Sequence, residues 1–298
     1  MSVGTAQRQA DRAASPRAVG LVVHSGRAEA LQAAEQAARH LRDAGIKVLG
    51  CADDQWPPDV VEVRDPRGFA SSVDLALVLG GDGTFLRAAY LVRDFGVPLL
   101  GVNLGRVGFL ADVEADDLGQ ALDRIQTGDF SIEERMTLAV EVRGPDGARV
   151  ASSWALNEAS IERTSPQRLI VLEVRVGDTI LADIPADAVI CATPTGSTAY
   201  AFSAGGPILS PLVEAILLVP VAAHSLFNRT IVIDPGESLE VRPVGRDRQC
   251  LVGLDGRESL SVPPRGSVGI SRGAKPVRMV RLSEFDFYAR VRDKFGLR

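Results

Sequence analysis

Leu77-Val78-Leu79-Gly80-Gly81-Asp82-Gly83-Thr84-Phe85-Leu86-Arg87 is the stretch from which the rest of the chain can be read. An apolar, β-branched run stops at two glycines, a carboxylate, a third glycine and a threonine. Apolar residues then resume at helical spacing, so the segment reads as strand, turn and helix. Gly80, Gly81 and Gly83 predict a backbone that turns sharply and approaches a ligand with no Cβ in the way. The N–H groups that open the helix would face an anion such as phosphate. Asp82 conflicts with that use, because a carboxylate repels phosphate unless it holds a metal ion or takes a proton. On these residues two readings stay open: Asp82 carries chemistry, or it caps the helix at Thr84.

Working outward, Ala18–His24 reads as a buried strand and Arg27–Ala44 as a helix with Leu31, Ala34, Ala38 and Leu41 on one face. Gly45 ends that helix, Ile46–Leu49 is a second strand, and Asp74–Leu79 feeds the glycine turn. Phe85, Ala88, Ala89 and Val92 share a helix face after the turn. Val97–Val102 is a strand that runs out at Asn103-Leu104-Gly105-Arg106-Val107-Gly108, and a helix with an acidic start follows. Strands alternating with helices imply a parallel sheet with right-handed crossovers, whose ligands gather where the strands end. From Phe130 to about Arg281 the pattern changes to short β-rich runs broken by turn signals such as Pro145-Asp146-Gly147, Gly177-Asp178 and Asp255-Gly256. Glu284–Phe295 regains helical spacing through Phe285, Tyr288, Val291 and Phe295. The expected fold is α/β: a Rossmann-like parallel-sheet domain over 18–129 with 283–298, and a β-sandwich-like domain over 130–282. The final helix is expected to pack back on the first domain, and residues 1–17 to form a loose tail.

Composition narrows the function class. The chain has 298 residues, 46% hydrophobic and 24% charged, the balance of an ordinary soluble globular protein long enough for two domains. A net charge of -5 leaves no electrostatic footprint for nucleic acid or an anionic membrane. Cys51, Cys191 and Cys250 are odd in number and far apart, which argues for a reducing compartment, with the cytoplasm as the expected location. His24, His40 and His224, with no cysteine pair, give zinc no obvious ligands, so no resident metal site is expected. The longest apolar run, Ala215–Ala223, is too short to span a bilayer, and the first residues lack the apolar core of a signal peptide.

Three further constellations stand out. Thr193-Pro194-Thr195-Gly196-Ser197-Thr198-Ala199-Tyr200, continuing to Ala204-Gly205-Gly206-Pro207, packs hydroxyls and flexible backbone into a loop after the strand Ala188–Ala192. It suits a polar heterocyclic ligand, or is a Ser/Thr-rich surface turn. Asn157-Glu158 interrupts the strand-like run from Ser153 to Ile161; either one of the pair faces a site or both sit in water on an edge strand. Asp187 precedes the strand into the hydroxyl loop. No Gly-x-x-x-x-Gly-Lys-Ser/Thr exists in the chain, and Leu86 stands where the dinucleotide fingerprint needs a third small residue, so neither common phosphate loop is present.

Taken together, Gly80-Gly81-Asp82-Gly83-Thr84, Gly101-Val102-Asn103-Leu104-Gly105 through Gly108-Phe109-Leu110, Asn157-Glu158 and Thr193 through Pro207 closely resemble the NAD kinase family, over about Ala18 to the C-terminal helix. The first motif and the Val22–Arg27 start are similar to its actinobacterial members. The Gly-Gly-Asp-Gly turn is shared with diacylglycerol kinases and phosphofructokinases. The Pro194–Tyr200 string after Asn157-Glu158 is the specific signal.

The resemblance implies phosphorylation of the 2′-hydroxyl of the adenosine ribose of NAD by magnesium-bound ATP, or by polyphosphate, giving NADP. It implies that Asp82 is the base that takes the hydroxyl proton, and that Gly80, Gly81, Gly83 and Thr84 cradle phosphate. Asn157 and Glu158 would grip the adenosine half of NAD, Asp82 and Gly83 would also contact NAD, and Thr198, Ala199, Tyr200, Ala201, Phe202 and Ser203 would line the rest. Asp187 would lie near the nicotinamide riboside, with Arg87 and Arg168 as secondary contacts. In the family the active site lies between the domains and neighbouring subunits complete it, which implies a homodimer or homotetramer. Three positions depart from the family pattern: Ala188 in place of glycine, Ala192 in place of serine, and Arg257 in place of a glutamine, which puts a cation near the NAD site. A lipid kinase sharing the glycine turn and an NAD-binding sensor without turnover are the competing readings.

Overall fold

The computed structural model describes residues 14–24, 26–57, 59–105, 108–165, 169–223, 228–245, 249–283 and 286–297. It divides into two compact units, Met1–Glu134 with Arg278–Arg298, and Arg135–Val277. The first contains β1 (Ala18–Val23), α1 (Ala28–Asp43), β2 (Lys47–Cys51), β3 (Glu62–Arg64), α2 (Pro66–Ser72) and β4 (Leu75–Leu79). There follow α3 (Asp82–Val92), β5 (Leu99–Asn103), β6 (Val113–Glu114), α4 (Leu118–Thr127) and β7 (Ser131–Arg135).

Strands β3-β2-β1-β4-β5 lie side by side in that order, all parallel. β1, β4 and β5 are buried along their whole length, as parallel strands covered on both faces must be. Ala34, Ala38 and Leu41 of α1 and Leu122 and Ile125 of α4 cover one face. Phe69 of α2 fills the space over Gly20 on the other, and Phe85 of α3 lies over Gly101. The sheet order reverses between β1 and β4, so the loops after those two strands flank the crevice in which a sheet of this type takes its ligands. Of the expected tail, residues 1–13 lie outside the described residues; the Arg17 N–H is already held by the Asp74 carboxylate at 2.8 Å.

The second unit is a sandwich of two antiparallel six-stranded sheets. Its elements are β8 (Leu138–Arg143), β9 (Arg149–Ala155), β10 (Glu158–Arg163), β11 (Ile170–Val176), β12 (Thr179–Ala186), β13 (Ala188–Ala192) and the short helix α5 (Tyr200–Ser203). They continue as β14 (Ile216–Val221), β15 (Ile231–Ile233), β16 (Leu239–Pro243), β17 (Cys250–Leu254), β18 (Glu258–Val262) and β19 (Ser267–Arg272). One sheet runs β15-β14-β13-β10-β17-β18 and the other β12-β11-β16-β19-β8-β9. β8, β11 and β17 alternate buried and half-buried residues, the period-two pattern that puts one face in a core. β13 is buried throughout because Ala201, Ala204 and Leu209 pack over Ile190 and Ala192 on its outer face. Cys51, Cys191 and Cys250 are free and buried.

The chain then returns to the first sheet through β20 (Val277–Arg281), which pairs parallel with β5 and lies between β5 and β7. The β-rich character of residues 131–135 and 277–281 predicted them in the second domain; both strands belong to the first sheet. Arg281 supplies the reason: its buried guanidinium is held by Asp112 at 3.0 Å and Glu133 at 3.2 Å, and the second Asp112 oxygen accepts the Leu282 N–H. The last helix, α6 (Phe287–Phe295), packs on the first unit as expected, through a face rotated from Tyr288 towards Phe287. Phe285 lies outside the described residues and Tyr288 is 73% exposed. Phe295, on the expected face, and Phe287 beside it meet the ring of Phe109, each at 6.2 Å between centroids. Asp286 caps the helix at the Ala289 N–H, and Arg290 pairs with Glu114 at 3.0 Å. No helix among the described residues is long and apolar enough to cross a membrane.

Removing one partner of a buried ion network leaves a desolvated charge, at a cost of about 3 kcal/mol. Asp112→Ala is therefore expected to lower the unfolding free energy by about that much, measured by urea denaturation.

Candidate active site

The glycine turn follows β4 on one side of the β1/β4 crevice. None of Gly80, Gly81 and Gly83 has a left-handed backbone, so the turn is made with ordinary angles rather than with glycine's special ones. A Cβ on Gly80 would press on Thr84, whereas Gly81 and Gly83 face open space. That open side is where a phosphate could approach the backbone. Asp82 is the first residue of α3, where the helix dipole favours an anion. It does not cap Thr84: the Thr84 and Phe85 N–H groups both bond to the Gly81 carbonyl, at 3.0 and 3.1 Å. Its two oxygens instead accept the N–H groups of Phe109 and Leu110, each at 3.1 Å. Any Cβ on Gly108 would fall on that carboxylate, which is why glycine stands there.

Arg87 turns away from solvent to the ends of β1 and β2. It pairs with the buried carboxylate of Asp54 at 2.7 Å and donates to the Val23 carbonyl at 2.7 Å. Asp54 also accepts the Val23 N–H at 3.4 Å. Asn103 accepts the Gly105 N–H at 3.2 Å and donates to Glu114 at 2.8 Å, which fixes the start of the loop after β5.

In the second unit, Asn157 and Glu158 are both buried, which overturns the edge-strand alternative. The run from Ser153 to Ile161 is two strands in different sheets, β9 and β10, and Leu156-Asn157 makes the crossing. Asp255 holds that crossing: its carboxylate accepts the N–H groups of Leu156, Asn157 and Glu158 at 2.8, 2.7 and 3.0 Å. Burial, and then the neighbouring charge of Asp255, push the Glu158 carboxyl up to about 8 against a backbone hydrogen bond from Tyr200. Burial raises Asp255 to about 6, opposed by its three N–H donors and by the charge of Arg257. The Glu158 Oε2 is buried with no hydrogen-bond partner among the described residues, an acceptor that a ligand donor would satisfy.

The hydroxyl loop packs directly on this crossing. Thr193 donates to the Leu156 carbonyl at 2.5 Å and receives the Gly196 N–H at 3.1 Å, while its own N–H bonds to the Asn157 carbonyl. Ser197 accepts the Leu209 N–H at 2.9 Å, and Thr198 donates to the Thr195 carbonyl. Most of these hydroxyls thus hold the loop's own shape. Tyr200, Phe202 and Ser203 are exposed, Thr198 and Ala199 are half-buried and Ala201 lies in the core. Asp187 is paired with Arg163 at 3.1 Å. Arg168 lies outside the described residues. Ala188 and Ala192 are buried in β13, and Arg257 is exposed beside Asp255.

Two family models match the chain: ATP-NAD kinase N-terminal domain over residues 59–130 and ATP-NAD kinase C-terminal domain over 156–282. An NAD kinase of Nocardia farcinica is 42% identical, with 94% of this chain and 92% of that protein covered. The chain belongs to the NAD kinase family. NAD kinase 2 of Streptomyces avermitilis is also 42% identical, with coverages of 94% and 95%, so the likeness to actinobacterial members runs the length of the chain. Among solved structures, an Archaeoglobus fulgidus NAD kinase in complex with ATP matches with a TM-score of 0.70 at 25% identity, over 94% of this chain and 97% of that one. Yeast NADH kinase complexed with NADH shares the fold, with a TM-score of 0.84 at 23% identity over 94% and 87%.

Sequence reasoning missed Asp54 and the role of Asp255. Asp255-Gly256 reads locally as a hairpin turn, and no spacing rule links it to a loop 99 residues earlier. Glu158 keeps its proton to higher pH in the folded chain than its ordinary value of 4.5. It therefore lowers stability progressively as pH rises from about 4.5 to about 8, where the unfolded chain ionises and the folded one resists. Glu158→Gln should match wild type near pH 4.5 and unfold at a higher midpoint than wild type by pH 8, the gap growing by several degrees in thermal unfolding.

Proposed function

We propose that this chain transfers the terminal phosphoryl group of ATP to the 2′-hydroxyl of the adenosine ribose of NAD, giving NADP. The observation that carries the reading is Asp82. It is a carboxylate oriented by two backbone N–H groups in a glycine turn at the switch point of the sheet, in a chain whose relatives are named NAD kinase. Phosphoryl transfer needs positioning, charge neutralisation and one group to receive the hydroxyl proton, with little covalent work for the protein. Asp82 takes the proton in this reading. A carboxylate has about four acceptor positions, so two N–H bonds orient it and leave capacity for the hydroxyl.

Gly81 and Gly83 present the open backbone for phosphate, with Gly80 and Thr84 forming the packed side of the turn. Asn157 and Glu158 grip the adenosine, Glu158 through its unsatisfied oxygen. Tyr200, Phe202 and Ser203, with Thr198 and Ala199, line the remainder of the NAD site, and Asp187 serves the nicotinamide riboside end. Magnesium enters with the nucleotide. The phosphates would carry it, with Asp82 as the carboxylate of the turn beside them. Polyphosphate as donor and a homo-oligomeric assembly belong to the same proposal.

Purified protein should form NADP from NAD, magnesium and ATP, followed enzymatically as NADP appears. Asp82→Asn should lower kcat by roughly 10²- to 10⁴-fold, the worth of a positioned base. Equal rates for this variant and wild type would remove Asp82 from the chemistry, and no NADP from wild type with any donor would leave the sensor reading. Gly108→Ala keeps Asp82 but drives its carboxylate off the Phe109 and Leu110 N–H groups. We expect a loss in kcat of more than tenfold with KM for NAD little changed, by the same assay.

A further inference from the structure

We infer that Arg27 is the cation that binds the phosphates of the phosphoryl donor. The inference rests on the reaction proposed above, which brings several negative charges to a turn whose own charged side chain is a carboxylate. A phosphate loop of the common kind meets that need with a lysine in the turn. Here the nearest candidate within the turn's helix is Arg87, and its guanidinium is already committed to Asp54 and the Val23 carbonyl at 2.7 Å each. The protein-borne charge must therefore come from a neighbouring loop.

One such loop follows β1. The crevice between β1 and β4 is bounded by the segment after β4, which carries Gly80 to Asp82, and the segment after β1, which carries Arg27. Arg27 precedes the first residue of α1, so its backbone stands at the carboxyl end of the sheet, the end where the glycine turn also lies. The side chain reaches across to the loop after β5, where its Nη1 would lie 2.9 Å from a Cβ on Gly105. A guanidinium resting on a glycine meets no side chain there, and Arg27 is exposed. Among the described residues it makes no ion pair and no side-chain hydrogen bond. It is a planar donor fork suited to bidentate contact with phosphate oxygens. The N–H groups that open α1, whose N-cap Arg27 offers them no side-chain cap, add positive partial charge beside it.

Arg27 and Arg87 thus have different jobs: Arg87 braces the ends of β1 and β2 against α3, and Arg27 meets the donor. Titration calorimetry separates them, because it reads ATP binding and NAD binding one at a time and needs no turnover. Arg27→Gln should raise the Kd for magnesium-ATP about 10- to 100-fold, the loss of a charge-assisted contact. Its Kd for NAD and its unfolding midpoint should stay at wild-type values, and Arg27→Lys should fall between the two. Arg87→Gln should instead lower the unfolding midpoint, since Asp54 is left buried without its cation.

An unchanged Kd for magnesium-ATP in Arg27→Gln overturns the inference, as does a loss confined to NAD, or a wild type that binds no ATP. A wild type that binds ATP through Arg27 yet forms no NADP would sink the proposed reaction and leave this assignment standing.

Discussion

The carboxylate of Asp255 holds together the most demanding point of the second unit. Where the chain leaves one sheet of the sandwich and enters the other, Leu156, Asn157 and Glu158 are buried with N–H groups outside any strand ladder. Asp255 accepts all three. An unsatisfied buried N–H costs about 1–3 kcal/mol, so three of them together would outweigh much of a domain's net stability. The hydroxyl loop can then lie flat on the crossing, with Gly196 against the backbone of Asn157. The orientation of Asn157 and Glu158 follows from this one acceptor.

The same device recurs in the first unit. Asp82 takes the N–H groups of Phe109 and Leu110, Asp112 that of Leu282, Asp74 those of Arg17 and Ala18, and Asp54 that of Val23. In each case a short, stiff carboxylate satisfies backbone donors that a loop leaves open near the end of a strand. Aspartate suits this because charge-assisted bonds are roughly twice as strong as neutral ones and its side chain has few rotamers to lose. Asp82 differs from the other four in lying in the glycine turn, with open space around Gly81 and Gly83. There the anchoring carboxylate is oriented by its two N–H donors and borders open space.

Much of the architecture is legible in the chain because it depends on local periodicity. Val19–Val23, Leu75–Leu79 and Leu99–Val102 are continuous apolar runs, and Ala34, Ala38 and Leu41 recur at helical spacing, so the strands and helices of the first sheet follow from burial alone. The candidate residues of the two motifs were legible for a different reason: polar groups and glycines interrupt apolar runs where a simple core would not have them. What local pattern could not supply was partnership. Val277–Arg281 looks like any other short strand, and only the Arg281 network with Asp112 and Glu133 draws it to the first sheet. Nothing in the spacing around Arg87 points to its partner Asp54.

By itself the sequence determined the order and kind of the elements, the glycine turn with Asp82, and the family to which the chain belongs. These are encoded by spacing along the chain, and spacing is set by the 3.6- and 2-residue periods of helix and strand. The tertiary structure alone decided which acceptor serves which buried donor: Asp82 for Phe109 and Leu110, Asp255 for the crossing at Asn157, Asp54 for Arg87. Those pairings join residues from 27 to 99 positions apart. Only the folded backbone decides which ends meet, so the two N–H groups that orient Asp82 and the buried partner of Arg87 emerge from geometry and not from composition.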